Sequence, residues 1–341
     1  MDLTWTGSQF LDPREHAADI LAGIGQVDFT TKDDTWSRGV AASAVSYYGL
    51  SPGSVRVAAG STQLIEALLR GLYRGLVVDV VPNFHLTATI CRQEAWNYRP
   101  VQVREPGELL PALESFLERD DVVVSLSSPR NPLAYQFDLA DIATVCRRLK
   151  GTLILDEVYA DFASDSALRL LAEHRNLFVV RTFSKAWGLA NLRIGFVASA
   201  ALAHSPSGAP QLRLIPNSVA GVAQRAAIHL LAHPETVQRS IDQARTCRDR
   251  MIAELSTVPG LRVWPSAANY LCIETPIAAR VAETLAEAGY LVRLLHDLRD
   301  YPPSWPAGIR VSVPPPPHLD AVVSSTRASH QGLDVHLQAR R

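Results

Sequence analysis

From Val55 onward, short β-branched apolar runs alternate with segments of helical periodicity, and this alternation constrains the fold of the 341-residue chain most strongly. The runs are continuously apolar, which is typical of strands buried on both faces of a parallel sheet. Helical spacing separates several of them, for example at 138–149. The pattern predicts an α/β domain with a mostly parallel sheet flanked by helices. The runs are Leu76–Val81, Val122–Leu126, Thr152–Leu155, Leu177–Val180 and Ile194–Ala198.

The pattern changes after about residue 235. A long helical pattern is followed by short strand patterns with one helix between them, which predicts a smaller α+β domain. We therefore predict an N-terminal segment (1–54) that joins the small domain or covers the site, a large domain (55–235) and a small C-terminal domain (236–341). The short strands are predicted at Leu261–Trp264, Tyr270–Glu274, Leu291–Leu294 and Ile309–Val313.

Composition excludes several classes of protein. The net charge is -1 and the arginines form no long runs, so we predict no nucleic-acid partner. No apolar stretch approaches the roughly 20 residues of a membrane span, and the N-terminus lacks the basic start and apolar core of a signal peptide. The four cysteines lie far apart and no His-Glu-x-x-His pattern occurs, so we predict no metal site. We expect a cytoplasmic protein with reduced thiols.

Lysine is rare in this chain, since only three of the 33 Lys and Arg residues are lysines. They are Lys32, Lys150 and Lys185, and Lys185 follows the predicted strand 177–180. A lysine amine can lose its proton and attack a carbonyl, but a guanidinium stays charged. For a single lysine, a surface position is the commoner meaning. The residues around Lys185 favour a catalytic amine instead.

Polar groups follow other predicted strands. Asp156 ends the run 152–155, where a carboxylate is costly unless it meets a positive charge such as a pyridinium nitrogen; capping of a following helix is the alternative. Tyr159, three residues later, has a hydroxyl that could reach the same ligand, or it is a half-buried core tyrosine. Asn131 lies in a loop between two prolines and could donate to a phenolic oxygen, or it marks a plain Asn-Pro turn.

Further groups suit a phosphate and an aromatic ring. Ser61 and Thr62 open a predicted helix, whose free amides and dipole bind anions; simple N-capping is compatible with this. Arg193 offers a guanidinium fork. Phe84 ends the strand 76–81 and could stack on a ring. Together with the hydroxyls of Thr182 and Ser184, these strand-end groups indicate one cofactor, pyridoxal 5'-phosphate.

The motifs resemble those of the fold-type-I pyridoxal-phosphate enzymes, and within them the histidinol-phosphate aminotransferase branch. Residues 182–196 are similar to the family's lysine signature, which implies Lys185 as the cofactor-linked lysine and Arg193 as the phosphate arginine. The resemblance also implies Arg310 as the arginine that binds the substrate carboxylate. It runs from about Val55 to Val323, with matching segments at 60–63, 129–132, 155–159, 268–270 and 309–313.

The chain departs from the family at its N-terminus. It lacks the Asn-Glu-Asn-Pro segment, and residues 31–36 stand near where the family has Arg-Tyr-Pro-Asp, which supplies a tyrosine from the partner subunit. Phe84 stands where tyrosine is usual. These departures favour a role in specialised metabolism over housekeeping histidine synthesis.

The resemblance implies an aminotransferase that takes an amino acid and a keto acid and forms a homodimer. Lys185, Asp156 and Tyr159 are its predicted catalytic residues. Alternatives on the same scaffold are a decarboxylase, such as the threonine-phosphate decarboxylases, or a cyclising or eliminating enzyme. A cofactor-binding regulator or an inactive scaffold is disfavoured by the intact motifs and the absence of a DNA-binding extension. A Rossmann dehydrogenase is disfavoured because Gly-x-Gly-x-x-Gly is absent.

Overall fold

The computed structural model describes residues 1–25, 27–31, 34–203 and 212–331. Within this part of the chain, seven strands form the larger of two sheets, in the order β1-β7-β6-β5-β4-β2-β3. The strands are β1 (Val55–Ala58), β2 (Leu76–Val81), β3 (Tyr98–Gln102), β4 (Val122–Ser127), β5 (Thr152–Asp156), β6 (Leu177–Thr182) and β7 (Gly195–Ala198).

The larger sheet is mostly parallel, as predicted. Strands β3, β2, β4, β5 and β6 pair in parallel, whereas β7 is antiparallel to both β6 and β1. The sequence patterns missed β3, because this strand lies at the sheet edge, contains Pro100 and exposes Arg99. Edge strands tolerate proline and polar residues, so they lack the apolar run of a central strand.

Helices cover the larger sheet and continue into the C-terminal part. Helix α3 packs on β1, β5, β6 and β7, and α1 and α2 both pack against α8. The helices are α1 (Pro13–Ile24), α2 (Arg38–Tyr48), α3 (Gly60–Leu72), α4 (Leu86–Gln93), α5 (Leu109–Leu113), α6 (Leu139–Arg148), α7 (Ala200–Ala203), α8 (Gly221–Ala232), α9 (Glu235–Leu255), α10 (Ala278–Glu287) and α11 (Pro316–Gln331).

The smaller sheet is antiparallel and has the order β10-β11-β9-β8 in the described residues. Helices α9, α10 and α11 pack with it around a separate apolar core. Its presence beside the larger sheet confirms the predicted fold class. The strands are β8 (Arg262–Val263), β9 (Tyr270–Glu274), β10 (Arg293–Leu294) and β11 (Gly308–Ser312). The domain boundaries at 54 and 235 stay predictions.

The first residues of the chain attach to the smaller sheet. Asp2 forms a bridge with Leu291, just before β10, and the amide of Ser312 in β11 donates to the carbonyl of Leu3 at 3.0 Å. Leu3 is fully buried in the smaller core. The chain is therefore fixed immediately before residues 4–6, which run towards the larger sheet. None of the described helices combines the length and apolarity that crossing a membrane requires.

Candidate active site

One cavity of about 480 Å³ lies at the carboxyl ends of β2, β4, β5 and β6. Parallel strands place their carboxyl ends at one sheet edge, and this edge is where α/β enzymes bind ligands. Every residue of the predicted site lines this cavity. They are Ser61, Thr62, Phe84, Asn131, Asp156, Tyr159, Thr182, Ser184, Lys185, Arg193 and Arg310.

Lys185 points into the cavity from the turn after β6. Its Nζ atom donates to Thr6 Oγ1 at 2.9 Å and lies 4.9 Å from the centre of the Trp5 ring and 5.3 Å from that of Tyr159. Among the described residues it forms no ion pair. The amine is therefore held by a neutral hydroxyl between aromatic rings, which is unlike the solvated surface lysine Lys150, paired with Glu118 at 2.9 Å.

Asp156 ends β5 with its carboxylate buried and 8% of the residue exposed. Burial raises its pKa to about 6, while the amide of Val158 and the charge of Lys185 act in the opposite direction. Its Oδ1 accepts from the Val158 amide at 3.1 Å, and the next helical turn begins only at Ala160, so it does not cap a helix. A cationic ligand in the cavity would therefore relieve the cost of this carboxylate.

Tyr159 lies on the same side of the cavity as Asp156. Its hydroxyl is 2.9 Å from Thr6 Oγ1, and its ring packs edge-on against Tyr270 at 5.1 Å. The residue is 5% exposed, so it is buried more deeply than the half-buried core tyrosine of the alternative, while its hydroxyl lies at the cavity. Its contact with a ligand stays a prediction.

The loop that carries Asn131 is anchored to the larger sheet by the side chain of Arg130, which is fully buried. The Arg130 guanidinium donates to the carbonyls of Val80 and Val103 at 3.1 Å each, at the ends of β2 and β3. The Tyr270 hydroxyl donates to the Arg130 carbonyl at 2.7 Å. The loop is thus fixed to both sheets, and Asn131 is presented to the cavity in a defined position.

A cradle for an anion lies at the start of α3. Gly60 has φ +84, and a Cβ added there would lie 2.8 Å from Arg193 Nη2, so only glycine lets the guanidinium approach. Arg193 donates to the Ala190 carbonyl at 3.1 Å and has no acidic partner among the described residues. The helix N-terminus at Ser61 and Thr62 adds positive potential. The cradle therefore holds an excess of positive charge.

Two hydroxyl residues complete the cradle. Thr182 Oγ1 accepts from the amide of Ser184 at 3.1 Å, which fixes the turn before Lys185. Ser184 Oγ accepts from Arg193 Nη1 at 3.4 Å. Both residues line the cavity, so their hydroxyls stand on the side of Arg193 that faces an incoming anion.

Phe84 is half-buried at the cavity wall after β2. Its loop rests on a buried polar network, in which Asn83 Nδ2 donates to Asp79 Oδ1 at 2.8 Å and to Ser125 Oγ at 3.2 Å. Burial raises the pKa of Asp79 to about 6. His85 is exposed beside Phe84, with ring centres 4.8 Å apart. The network fixes the loop, so the Phe84 ring has a firm support.

Arg310 enters the cavity from β11. It donates to Asn131 Oδ1 at 3.0 Å and to the carbonyl of Thr4 at 2.9 Å. No acidic side chain pairs with it in the described residues, so it does not belong to a structural ion pair there. Its charge is held by neutral acceptors only, which leaves it able to bind an anion.

The sequence analysis missed several cavity residues. Arg293 of β10 lies directly opposite Arg310 in the strand pairing, and among the described residues it has no hydrogen-bonded acid. An antiparallel alignment of the predicted strands 291–294 and 309–313 could have found it. No local signal identified His85 or the residues of the N-terminal segment, because they reach the cavity through tertiary contacts. The cavity residues that the sequence analysis missed are Thr4, Trp5, Thr6, His85, Ser127, Val158 and Arg293.

The described residues contain no group of His, Cys, Asp or Glu side chains that could hold a metal ion. Each of the four cysteines is buried and free of disulfides. The chemistry of the cavity is therefore carried by an amine, a buried carboxylate, hydroxyls and arginines.

A comparison with protein families identifies the chain over most of its length. The family model "Aminotransferase class I and II" matches residues 42–324. A histidinol-phosphate aminotransferase of Xanthomonas campestris pv. campestris is 31% identical over 313 residues, which cover 87% of this chain and 84% of the relative.

Solved structures share the fold. The histidinol-phosphate aminotransferase of Clostridium acetobutylicum superposes with a TM-score of 0.82 at 16% identity, covering 97% of this chain and 99% of that one. The L-threonine-O-3-phosphate decarboxylase of Porphyromonas gingivalis gives a TM-score of 0.76 at 18% identity and covers 99% of both chains. At these identities the likeness concerns the fold alone.

Proposed function

Because the chain belongs to the aminotransferase class I and II family, we propose that it is an aminotransferase that moves an amino group between an amino acid and a keto acid. Its cofactor is pyridoxal 5'-phosphate, as the family membership indicates. The observation that carries the proposal is the meeting of Lys185, Asp156, Arg193 and Arg310 in one cavity, where neither arginine has an acidic partner among the described residues.

The residues present fit this cofactor. The cradle of Ser61, Thr62 and Arg193, into which no Cβ at Gly60 intrudes, suits a phosphate. The buried carboxylate of Asp156 suits a protonated ring nitrogen, since a cation beside it would offset its desolvation. Phe84 would cover one face of a ring.

Bound pyridoxal phosphate supplies an aldehyde for covalent linkage and a pyridinium ring that withdraws electrons from the substrate. Lys185 would hold the cofactor covalently, and its freed amine would take the proton from the substrate Cα and return it during transfer. Asp156 would keep the proton on the ring nitrogen. Asn131 and Tyr159 would orient the ring through its phenolic oxygen.

The substrate side of the cavity suits an anionic amino acid. Arg310 would bind the α-carboxylate through its guanidinium fork. Arg293 lies opposite it on the neighbouring strand, and like charges in that position are unfavourable unless anions compensate them. A second anionic group on the substrate, such as a carboxylate or a phosphate, is therefore part of the proposal.

We propose that the enzyme acts in specialised metabolism and not in housekeeping histidine synthesis. The support is at the N-terminus, where Trp5 and Thr6 line the cavity in a chain that lacks the Asn-Glu-Asn-Pro and Arg-Tyr-Pro-Asp motifs. Phe84, where tyrosine is usual, is a further departure at the cavity wall.

A decarboxylase is the second candidate. The pair Arg293 and Arg310 would suit a substrate that carries both a carboxylate and a phosphate, like the L-threonine-O-3-phosphate for which the Porphyromonas gingivalis decarboxylase is named. The same residues would then orient the Cα–carboxylate bond, instead of the Cα–H bond, for cleavage.

We also propose a homodimer in the cytoplasm. Phe29, Trp36 and Ile215 are large apolar side chains with 80%, 52% and 60% exposure, and their segments adjoin, since the Asn217 amide donates to the Thr35 carbonyl at 3.0 Å. An exposed apolar patch of this kind is typical of an interface. A fully active monomer in dilute solution would contradict this assembly.

A substrate screen tests the function. The purified enzyme is mixed with single amino acids while the cofactor absorbance is followed, with and without added keto acid, and released CO₂ is measured. Without a keto acid, an aminotransferase converts only one equivalent of amino acid per active site. Repeated turnover requires added keto acid. Continuous CO₂ release without keto acid would establish the decarboxylase, and no spectral response to any amino acid would contradict both.

A further inference from the structure

Within the described part of the N-terminal segment, Thr6 is the residue whose side chain forms hydrogen bonds with two predicted catalytic residues. Its Oγ1 lies 2.9 Å from Lys185 Nζ and 2.9 Å from the Tyr159 hydroxyl, and the residue is 4% exposed. A hydroxyl offers one proton and two lone pairs, so Thr6 can accept from the amine while it shares a hydrogen bond with the phenol. Both contacts are therefore satisfied at once.

The main chain of residues 4–6 is fixed from the smaller sheet. The carbonyl of Trp5 accepts from Ser312 Oγ at 2.8 Å, and that of Thr6 accepts from Asn269 Nδ2 at 3.1 Å. Asn269 also binds the carbonyl of Gly7 at 2.9 Å. Thr6 therefore has little freedom to move, and its hydroxyl is a rigid feature of the cavity.

Lys185 has no other hydrogen-bond acceptor among the described residues. The rings of Trp5 at 4.9 Å and Tyr159 at 5.3 Å attract a cation without fixing its N–H directions, and the Asp156 carboxylate interacts with its charge without a hydrogen bond. A four-carbon lysine side chain has much rotational freedom. Thr6 is thus the group that gives the amine a defined orientation.

We infer that Thr6 is a positioning residue for proton transfer by Lys185. When the amine is free and neutral, one N–H stays directed at Thr6 Oγ1, so its lone pair occupies one of the other tetrahedral directions. This limits the orientations that Lys185 samples before it takes a proton from the substrate Cα. The kinetic consequence rests on the proposed function, but the hydrogen bond to the amine does not.

The test compares Thr6→Val, which keeps the size and removes the hydroxyl, with Thr6→Ser, which restores the hydroxyl. Thr246→Val is the matched control, because its hydroxyl binds the Asp242 carbonyl on the exposed side of α9. We expect Thr6→Val to lower kcat about 10-fold with KM within about threefold, the upper range of the loss for one hydrogen bond between neutral groups. Thr6→Ser should recover to within about threefold of the parent, and Thr246→Val should match the parent.

A second measurement needs no turnover. Each protein is loaded with pyridoxamine phosphate, which leaves Lys185 unlinked, and is treated with a small amount of acetic anhydride; mass spectrometry gives the acetylation of Lys185 relative to Lys150. Loss of the Thr6 acceptor releases the amine from its hydrogen bond and lets it reach the anhydride, so Thr6→Val should raise this ratio about threefold or more, and Thr6→Ser should not.

Two results would overturn the inference: a parental acetylation ratio in Thr6→Val, or equal losses of kcat in Thr6→Val and Thr6→Ser. If Thr6→Val does not fold, Thr6→Ala takes its place with the same expected direction. If no amino acid reacts with the parent enzyme, the proposed function fails, while the acetylation ratio still decides whether Thr6 holds the amine.

Discussion

The two sides of the cavity are built in different ways. The cofactor side, defined as Ser61, Thr62, Asp156, Lys185 and Arg193, comes from the larger sheet and its helices. Each group stands at a helix start, at or just after a strand end, or, for Arg193, just before a strand. The substrate side, defined as residues 4–6, Arg293 and Arg310, is assembled from the chain start and the smaller sheet. The cofactor side can therefore be built by local chain geometry, but the substrate side depends on contacts between distant segments.

This difference predicts that changes on the cofactor side alter cofactor binding or its chemistry, whereas changes on the substrate side leave the bound cofactor intact. The largest expected effect is that of Lys185→Ala. Loss of the amine should lower kcat on the order of 10⁴-fold or more, because linkage and proton transfer both depend on it.

The parent protein should be yellow, and borohydride reduction followed by peptide mapping should place the cofactor on Lys185. Lys150→Ala removes an exposed lysine paired with Glu118 and should behave as the parent. An adduct on another lysine would remove the basis of the cofactor side.

Asp156→Asn should keep the cofactor bound and lower kcat about 10²- to 10³-fold, the size found for removal of one preorganised electrostatic group. A neutral amide cannot hold the proton on the ring nitrogen. Near-parental turnover, measured with saturating cofactor, would contradict this role. Asp121→Asn, at an exposed pair with Arg119, is the control.

Asp156→Asn should also change the stability of the protein. Because the folded pKa of Asp156 is about 6 and its ordinary value is 3.8, the unfolded chain releases its proton first as pH rises. As the pH rises from about 4 to 6, the free energy of unfolding of the cofactor-free parent should therefore fall by up to about 3 kcal/mol. At pH 7.5, Asp156→Asn should be more stable than the parent by up to that amount. Urea unfolding at both ends of this window checks the sign; a variant less stable at pH 7.5 would contradict it.

Arg310→Lys tests the substrate side. The charge remains but the fork is lost, so we expect a loss of about 2–3 kcal/mol in kcat/KM, mainly as a higher KM, with cofactor affinity unchanged. Arg56→Lys is the matched control, since Arg56 is also half-buried but binds only the carbonyls of Gly53, Val55 and Leu202. A parental KM in Arg310→Lys would mean that the carboxylate is held elsewhere.

Arg293→Gln should have the smallest effect. Arg293 is exposed, so its contribution should be about fivefold in kcat/KM and confined to substrates with a second anionic group. Amino acids with neutral side chains should react as with the parent. An equal loss for both kinds of substrate would remove the second-anion part of the proposal.

The outcome of sequence prediction follows the same division. Lys185, Asp156 and Arg193 could be predicted to lie in one site because each stands beside a strand whose apolar run is unmistakable, and the family resemblance added Arg310. All four line the cavity, and their roles stay predictions. Thr6 could not be identified, since its role depends on hydrogen bonds to residues 159 and 185 that no local pattern encodes. Strand β3 was missed for a related reason, because an exposed edge strand carries no apolar signal.

The neutral acceptors of Arg310 have a consequence for catalytic throughput. Asn131 and the Thr4 carbonyl already hold its guanidinium, so an arriving carboxylate exchanges hydrogen bonds and does not have to order a mobile side chain. The exchange requires little reorganisation of Arg310. The binding free energy of the carboxylate, however, is only the difference between hydrogen bonds to a charged acceptor and those to two neutral acceptors. Such a site favours moderate affinity and rapid release, which would suit the proposed aminotransferase, where one product must leave before the second substrate enters the same cavity.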